Sequence, residues 1–306
     1  MVRPSRGRVN ALELDNLTML MTLAKQAVRS ALKPLGLEPR PAARLALRPF
    51  GLELRQNQIV RRVRPYIKRY NTEGVTFDFL IGDHEGRDWY DLHYTGVWKE
   101  MAFIRDRMLS SGDTVLECGA HHGFATILFA NWVGPNGRVI AFDPMSHNCG
   151  ILQKNISLNR LANIAVQQKA VGARAGYALF ANTSNAYAST EMAPELTASG
   201  DVVKVEITTL DEYADLRPNF IKIDVEGYEQ QVLDGARSVL ALRPKLAIEL
   251  HSELLPRYGA SSRSVVDRLS TGGYELWIQW QDDAPPEPYR GQAITGRVHL
   301  FCFPRS

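Results

Sequence analysis

The sequence predicts an α/β domain with a largely parallel sheet. From about residue 75, short apolar segments typical of strands alternate with segments of helical periodicity, and polar or glycine-containing turns separate them. Parallel strands joined by right-handed helical crossovers produce this alternation. Strands are expected at residues 75–81, 114–119, 138–142, 164–168, 219–224, 245–250, 273–279 and 297–303. Helices are expected at residues 99–109, 123–132, 146–159, 227–242 and 261–271.

Turn residues delimit these elements along the chain. The helix at 99–109 leads into the turn Ser111-Gly112-Asp113, the next strand ends at Gly119, and the one after it ends at Asp143-Pro144. The alternation is interrupted only at residues 176–212, where two strand-like segments, 176–180 and 202–208, flank a polar loop. We therefore expect an inserted β-hairpin there.

Charge separates the N-terminal segment from the rest of the chain. Residues 1–70 hold fifteen Lys and Arg against four acidic residues, so with +3 overall the remaining residues carry −8. This negative remainder would repel phosphates, which argues against a nucleic-acid substrate. We expect a basic N-terminal tail and helical extension at 1–74, with an amphipathic helix at 14–33, and a catalytic domain at 75–306. Such a helix fits packing, homodimerisation or contact with an anionic membrane surface.

Composition favours a cytoplasmic protein. The longest apolar stretch near the start, residues 17–24, is far shorter than the roughly 20 residues of a membrane span. Glu13 and Asp15 precede it, where a secretory signal carries only positive charge. Three widely spaced cysteines, Cys118, Cys149 and Cys302, indicate reduced thiols.

Glycines and carboxylates follow the first strands of the alternating region. Gly119 and Gly123 bracket the turn from a strand into a helix, and Glu117 stands two residues before the first of them. The spacing matches neither the dinucleotide fingerprint nor a phosphate-binding loop, and the acid suits a cationic small ligand. Asp143 ends the next strand 24 residues after Gly119, close to the about 20-residue separation of a carboxylate that binds ribose hydroxyls.

Ionisable groups also follow two later strands. Asp224 and Glu226 are two residues apart, as are Glu249 and His251, so each pair projects the same way if strand geometry persists. If these strands are neighbours, the four groups converge at one edge of the sheet. They could then act in proton transfer, or hold a divalent cation such as Mg²⁺.

Several segments together resemble the FkbM family of S-adenosylmethionine-dependent methyltransferases. The similarity runs from about Trp98 to about His251, and its most specific part is Lys-Ile-Asp-Val-Glu-Gly at 222–227. The other matching segments are residues 115–123, 142–144, 183–185, 209–213 and 221–229. The resemblance implies a Rossmann-like class I methyltransferase fold with seven mostly parallel strands, the last antiparallel. It also implies O-methylation of a hydroxyl on a sugar, glycan or polyketide-type acceptor.

Residue roles follow from combining the resemblance with the strand ends. The methionine part of the cofactor is assigned to Glu117 and the glycine turn, the ribose to Asp143, and the adenine to residues 170 and 171. The full set expected to bind the cofactor is Glu100, Glu117, Gly119, Ala120, His121, Gly123, Asp143, Pro144, Ala170, Val171 and Asp224.

The catalytic base is expected among the four converging groups. His251 is favoured because an unperturbed imidazole has a pKa of about 6.5, with Glu226 and Glu249 in reserve and Asp224 nearest the methyl. The same four groups are the alternative metal ligands. The acceptor pocket is expected to include Trp89, Tyr90, His93, Tyr94 and Asn185. The rival function is a non-catalytic protein that binds a glycan or membrane surface on a methyltransferase scaffold.

Overall fold

The structure is a computed structural model that describes residues 52–55, 58–61, 63–92, 98–181, 188–189 and 202–305. The chain divides into two compact units, residues 1–64 and 65–306. In the first unit, strands β1 (Leu52–Arg55) and β2 (Gln58–Arg61) form an antiparallel pair. The expected basic tail and the helix at 14–33 lie outside the described residues.

The second unit contains the expected alternation of strands and helices. Its strands are β3 (Tyr66–Thr72), β4 (Val75–Ile81), β5 (Thr114–Cys118), β6 (Arg138–Phe142), β7 (Ile164–Gln167), β8 (Ala170–Val171), β9 (Gly176–Ala181), β10 (Ala188–Ser189), β11 (Val202–Thr208), β12 (Phe220–Ile223), β13 (Lys245–His251), β14 (Tyr274–Gln279), β15 (Glu287–Pro288) and β16 (Arg297–Pro304). Its α-helices are α1 (His84–Arg87), α2 (Lys99–Arg107), α3 (Phe124–Val133), α4 (Ser146–Leu158), α5 (Glu229–Asp234), α6 (Arg237–Ala241) and α7 (Ser262–Thr271). A π-helical turn covers Asp88–Leu92, and 3₁₀ turns cover Leu210–Leu216 and Leu255–Tyr258.

The central sheet has the order β15-β14-β16-β13-β12-β5-β6-β7. Strands β7, β6, β5, β12 and β13 are parallel, and β16 runs antiparallel to both of its neighbours. All seven strands predicted for this sheet are present, and the last is antiparallel as expected. The two-residue β15 adds an eighth strand at the edge. The order reverses between β5 and β12, and a parallel sheet offers a ligand crevice at the carboxyl ends of the strands flanking such a point.

Alternating side chains of β5 enter two hydrophobic clusters on opposite faces of the sheet. Val115 packs in a cluster with Phe124 and Phe79, whereas Leu116 packs in a cluster with Ile221. Every residue of β12 is buried, which is the pattern of a parallel strand covered on both faces. Because both faces of the sheet are covered, a ligand can reach it at the strand ends.

The hairpin β3–β4 packs against Phe124 at the start of α3, in the same hydrophobic cluster as Val115. Tyr70, Phe77 and Phe79 contact the ring of Phe124 at centroid separations of 5.0 to 5.2 Å. Residue 74, the domain boundary predicted from sequence, lies in the turn between these two paired strands, whereas the two compact units divide between residues 64 and 65.

The expected inserted hairpin is present as part of a smaller sheet of order β10-β9-β11-β8. Strands β9 and β11 pair antiparallel from Ala181↔Val202 to Gly176↔Ile207, and β11 pairs parallel with β8. The single helix predicted at 227–242 is wrong, because the segment forms the two short helices α5 and α6. Gly235 separates them, and a Cβ there would lie 2.1 Å from the Gly172 carbonyl oxygen. Across the described ranges, no helix has the length and apolar character that crossing a bilayer requires.

Candidate active site

A cavity of about 1060 Å³ opens at the carboxyl ends of β5, β6, β12 and β13. Most residues predicted from sequence to bind cofactor or acceptor line it. These are Trp89, Tyr90, Glu100, Glu117, Gly119, Ala120, His121, Asp143, Pro144, Ala170, Val171, Asp224, Glu226, Glu249 and His251. The predicted pocket residues His93, Tyr94 and Asn185 lie outside the described residues.

The turn after β5 is built for close backbone contact. Gly119 has φ 88°, and a Cβ added there would lie 1.8 Å from the Asp224 carbonyl oxygen, so no side chain fits. The backbone N–H groups of Gly119 and Ala120 both donate to the Phe142 carbonyl at 2.9 Å. The glycine is therefore required by the approach of β12 to this turn.

Gly123 has a different place from the one predicted. It does not line the cavity, and it caps α3 with φ 87°, where a Cβ would lie 2.1 Å from Leu152 Cδ1. Its requirement for glycine comes from helix packing, so direct cofactor contact is not what the structure supports for this residue.

Glu117 is a buried carboxylate at the end of β5. Its Oε2 accepts a hydrogen bond of 2.6 Å from Thr126 Oγ1 on α3. Burial raises the pKa of Glu117 to about 7, against the lowering effect of the Thr126 hydrogen bond. A cation brought into the cavity would stabilise its ionised form.

Asp143 organises the neighbouring turn. Its carboxylate accepts hydrogen bonds from the backbone N–H groups of His121 and Met145 at 2.9 and 2.8 Å, and from Asn148 Nδ2 at 3.1 Å. Burial raises the pKa of Asp143 to about 7, although these bonds lower it. The carboxylate thus already holds the two chain segments at the ends of β5 and β6. Ribose binding by Asp143 would use its remaining acceptor capacity.

Lys222 begins the Lys-Ile-Asp-Val-Glu-Gly segment and is a buried cation, although it was not among the predicted site residues. Its Nζ donates to Asp224 Oδ2 at 2.9 Å. Burial by itself lowers the pKa of Lys222, but the charges of Asp224 and Glu100 outweigh it and raise the pKa. For Asp224, burial and the charge of Glu249 raise the pKa despite this ion pair. The pair therefore anchors the Asp224 carboxylate at the cavity wall.

The predicted convergence of acidic groups on His251 is present. Ligating atoms of Asp224, Glu249 and His251 all lie within 4.8 Å of one another. His251 Nε2 is 3.6 Å from both Glu226 Oε2 and Glu249 Oε1. The pairing of β12 with β13 in parallel register brings these strand ends together.

The ring of His251 is held from behind by a buried glutamate. Glu229 Oε1 lies 2.9 Å from His251 Nδ1 and also accepts the Gly227 N–H at 3.0 Å. Burial by itself lowers the pKa of His251, but the Glu229 hydrogen bond and the charge of Asp224 raise it to about 9. The expectation of an unperturbed pKa near 6.5 is therefore wrong: in this setting the imidazole is protonated at neutral pH.

The antiparallel strand β16 adds two further cations. Arg297 Nη1 donates to Glu249 Oε1 at 2.7 Å, and His299 Nδ1 lies 3.5 Å from Glu100 Oε1. Burial alone would lower the pKa of His299, but the charges of Glu100 and Glu249 raise it to about 10. Sequence reasoning missed both residues. The alternation of polar Arg297 and His299 with apolar Val298 and Leu300 was the available signal.

Aromatic rings line part of the cavity. Tyr90 stacks on Phe124 at 5.2 Å, with an interplanar angle of 5°, and its hydroxyl lies 3.0 Å from His121 Nδ1. Trp89 lies 4.8 Å from the His121 ring and is 42% exposed, and Trp98 also lines the cavity. These rings can stack on a flat or cyclic ligand.

A family model and several solved structures match the chain. The family model described as the Methyltransferase FkbM domain matches residues 117–276, slightly more than half of the chain. No significant match is found among curated proteins.

Solved structures of methyltransferases are similar to the chain at low identity. One is the methyltransferase FkbM from Methylobacillus flagellatus, with 19% identity and a TM-score of 0.45 over 68% of this chain. The chain spans 48% of the length of that protein. Another is a SAM-dependent O-methyltransferase from Thermotoga maritima, with 12% identity, a TM-score of 0.44 and 78% of each chain covered. Because the family model covers more than half of the sequence, the chain belongs to the FkbM family of S-adenosylmethionine-dependent methyltransferases.

Proposed function

We propose that the chain transfers a methyl group from S-adenosylmethionine to a hydroxyl group of a small-molecule acceptor. The observation that carries the proposal is the cluster of Asp224, Glu249 and His251 at the carboxyl edge of β12 and β13, beside the Gly119 turn. When bound, the cofactor supplies an electrophilic methyl group on a sulfonium cation. The residues of the chain then have to position an acceptor oxygen and remove its proton.

Carboxylates dominate the part of the cavity assigned to the cofactor. Glu117 and Asp143 are buried and have a pKa near 7, so each would gain stability in its ionised form from a nearby cation. Asp224 adds a third carboxylate next to the Gly119 turn. We assign Glu117 and the backbone of residues 119–121 to the methionine part, Asp143 with Pro144 to the ribose, and Ala170 with Val171 to the adenine.

We assign proton removal to the His251 group. A bound sulfonium would repel the imidazolium and lower its pKa from about 9 towards neutrality. Glu229 fixes the ring through Nδ1, which leaves Nε2 directed to the side of Glu226 and Glu249. The two glutamates are the remaining candidates to accept the proton.

In the alternative mechanism with a metal, the same residues would be the Mg²⁺ ligands. Lys222 and Arg297 already pair with Asp224 and Glu249 at 2.9 and 2.7 Å, so a divalent cation would have to compete with both. We therefore favour methyl transfer without a metal. Turnover in excess EDTA that added Mg²⁺ does not change supports this assignment, and a loss that Mg²⁺ restores overturns it.

The acceptor is proposed to be a polyhydroxylated molecule such as a sugar or a polyketide-type compound. A volume of about 1060 Å³ is slightly above the roughly 300–1,000 Å³ of a pocket for one small ligand, which leaves room for cofactor and acceptor together. Trp89 and Trp98 offer ring faces, while Asp282 and Asp283 offer hydrogen-bond acceptors for hydroxyls. A cytoplasmic location and a homodimer remain parts of this proposal; the three buried, free cysteines are consistent with a reducing compartment.

The test is methyl transfer from isotopically labelled cofactor to a panel of hydroxylated, amino and thiol acceptors. We expect labelled methyl ethers, and loss of product in His251→Ala but not in Glu253→Gln, whose side chain is exposed on the same segment. Product on nitrogen or sulfur acceptors alone would refute O-methylation. Cofactor binding without any transfer across the panel would favour the non-catalytic alternative.

A further inference from the structure

We propose that Asp83, His122 and His147 form a binding site for a divalent cation of the zinc type. Their ligating atoms lie within 4.8 Å of one another, and none of the three residues lines the cavity described above. Three chain segments meet there. Asp83 follows β4, His122 belongs to the turn between β5 and α3, and His147 lies in the first turn of α4.

Two of the three separations are close to those of ligands on a common cation, and the third, between the two imidazole nitrogens, is within 4.8 Å. Asp83 Oδ2 lies 2.8 Å from His147 Nε2 and 3.4 Å from His122 Nε2. Zinc bonds of about 2.0–2.1 Å in a tetrahedron place neighbouring ligand atoms roughly 3.3–3.4 Å apart. One contact already has this length, and the other reaches it by a movement of about half an ångström in the exposed His147 ring. The other oxygen of Asp83 accepts the Gly86 N–H at 2.8 Å, which fixes the carboxylate.

His122 supplies the observation that a simple hydrogen-bonded cluster does not explain. Its side chain is 0% exposed, its Nδ1 has no hydrogen-bond partner among the described residues, and its Nε2 reaches Asp83 Oδ2 only at 3.4 Å, without the geometry of a hydrogen bond. A buried polar group without a partner is costly and calls for an explanation such as an ion. A cation bound through Nε2 would satisfy one of the two nitrogens.

Packing holds the His122 ring in place. A Cβ at Gly86 would lie 2.8 Å from His122 Nδ1, so this position accommodates the ring only as glycine. The ring also stacks on His121 at 3.9 Å with an interplanar angle of 20°. His147, whose side chain is 55% exposed, provides an entry path from solvent.

The donor set selects the class of cation. Two imidazoles and one carboxylate are the ligands of many zinc sites, whereas Mg²⁺ and Ca²⁺ prefer oxygen ligands throughout. The cation would connect the segment of His122 to α4, and the backbone N–H of the adjacent His121 donates to Asp143. We therefore expect zinc to stabilise the turn that contains His121.

The test is zinc binding by the full-length chain after removal of metal with EDTA. We measure affinity by competition with a chromophoric chelator, for the wild type, His147→Ala and the control Gln153→Ala, an exposed and uncharged residue of the same helix. We expect one tight site in the wild type and the control, and at least about tenfold weaker binding in His147→Ala, since even outer-shell changes cost 10–100-fold. Equal affinity in all three proteins overturns the proposal.

Two further measurements separate this site from the cavity and from misfolding. Glu249→Gln alters the other group of potential ligands, so zinc binding lost in that variant rather than in His147→Ala assigns the ion to the cavity and overturns the proposal. Zinc X-ray absorption of the wild type needs no variant. We expect two imidazoles and otherwise oxygen ligands, and a spectrum with sulfur ligands or without imidazole contradicts the site.

Discussion

Lys222 is the residue whose removal should most disturb the candidate site, because its charge is shared among several buried carboxylates. Its side chain is 7% exposed, and its Nζ lies 2.9 Å from Asp224 Oδ2. With an effective dielectric constant of about 20, two charges at that distance attract by ~6 kcal/mol before desolvation is subtracted. Removing one partner of a buried pair typically costs about 3–5 kcal/mol, since the other is left uncompensated.

The two partners should differ in this cost. Lys222→Met leaves Asp224 near Glu249, whereas Asp224→Asn leaves Lys222 still compensated by Glu100 and Glu249. We therefore expect the free energy of unfolding to fall by about 3–5 kcal/mol in Lys222→Met and by about 1–3 kcal/mol in Asp224→Asn. The double variant should be more stable than the sum of the single losses predicts, with a coupling energy of about 1–3 kcal/mol.

Urea unfolding followed by tryptophan fluorescence measures these differences. Lys154→Met serves as the matched control, because this lysine is exposed and should change stability by no more than about 0.5 kcal/mol. A loss below 1 kcal/mol in Lys222→Met would refute the reasoning, as would additivity in the double variant. Either result would mean that solvent or another cation replaces the lysine.

Three further predictions concern activity and cofactor binding. The rate of methyl transfer should rise with pH between about 7 and 9, because the His251 group loses its proton in this range. His251→Ala should abolish this rise and lower kcat by about 10²–10⁴. A pH profile that the substitution leaves unchanged contradicts the assignment. Gly119→Ala should eliminate cofactor binding in calorimetry, because its Cβ would lie 1.8 Å from the Asp224 carbonyl oxygen, and retained affinity would contradict this. Burial raises the pKa of Glu117 and Asp143 to about 7. Cofactor affinity should therefore increase as pH rises from 6 to 8, and cofactor binding should release protons. An affinity that does not depend on pH would mean that neither carboxyl ionises on binding.

The sequence was sufficient for the sheet because each central strand is a short apolar run followed by a turn signal. The fully buried β12 and the partly alternating β13 were both located this way. It was insufficient for the helix predicted at 227–242. The helical periodicity of this segment gives no sign that the Gly172 carbonyl approaches Gly235, the residue that separates α5 from α6.

At the site, the ends of the parallel strands predicted which side chains come together, but they did not predict the pKa of His251. Asp224, Glu249 and His251 were located this way, because parallel neighbours end at the same edge of a sheet. His251 was expected to have an ordinary pKa, because the buried Glu229 that bonds Nδ1 comes from the start of the following helix rather than from a strand end. Pairwise contacts set a pKa, and sequence spacing does not specify them.

The antiparallel final strand explains why two cations of the site, Arg297 and His299, were harder to predict than its acids. In register, β16 places His299 opposite Glu249 and Arg297 opposite His251, although 46 to 50 residues separate these partners along the chain. Since β16 runs against its neighbours, its first residues rather than its last ones reach the carboxyl edge of the sheet. The ends of the parallel strands therefore carry the carboxylates, whereas Arg297, which pairs with Glu249, lies at the beginning of a strand. In this fold, site residues are therefore expected at the beginning of the antiparallel strand as well as at the ends of the parallel strands.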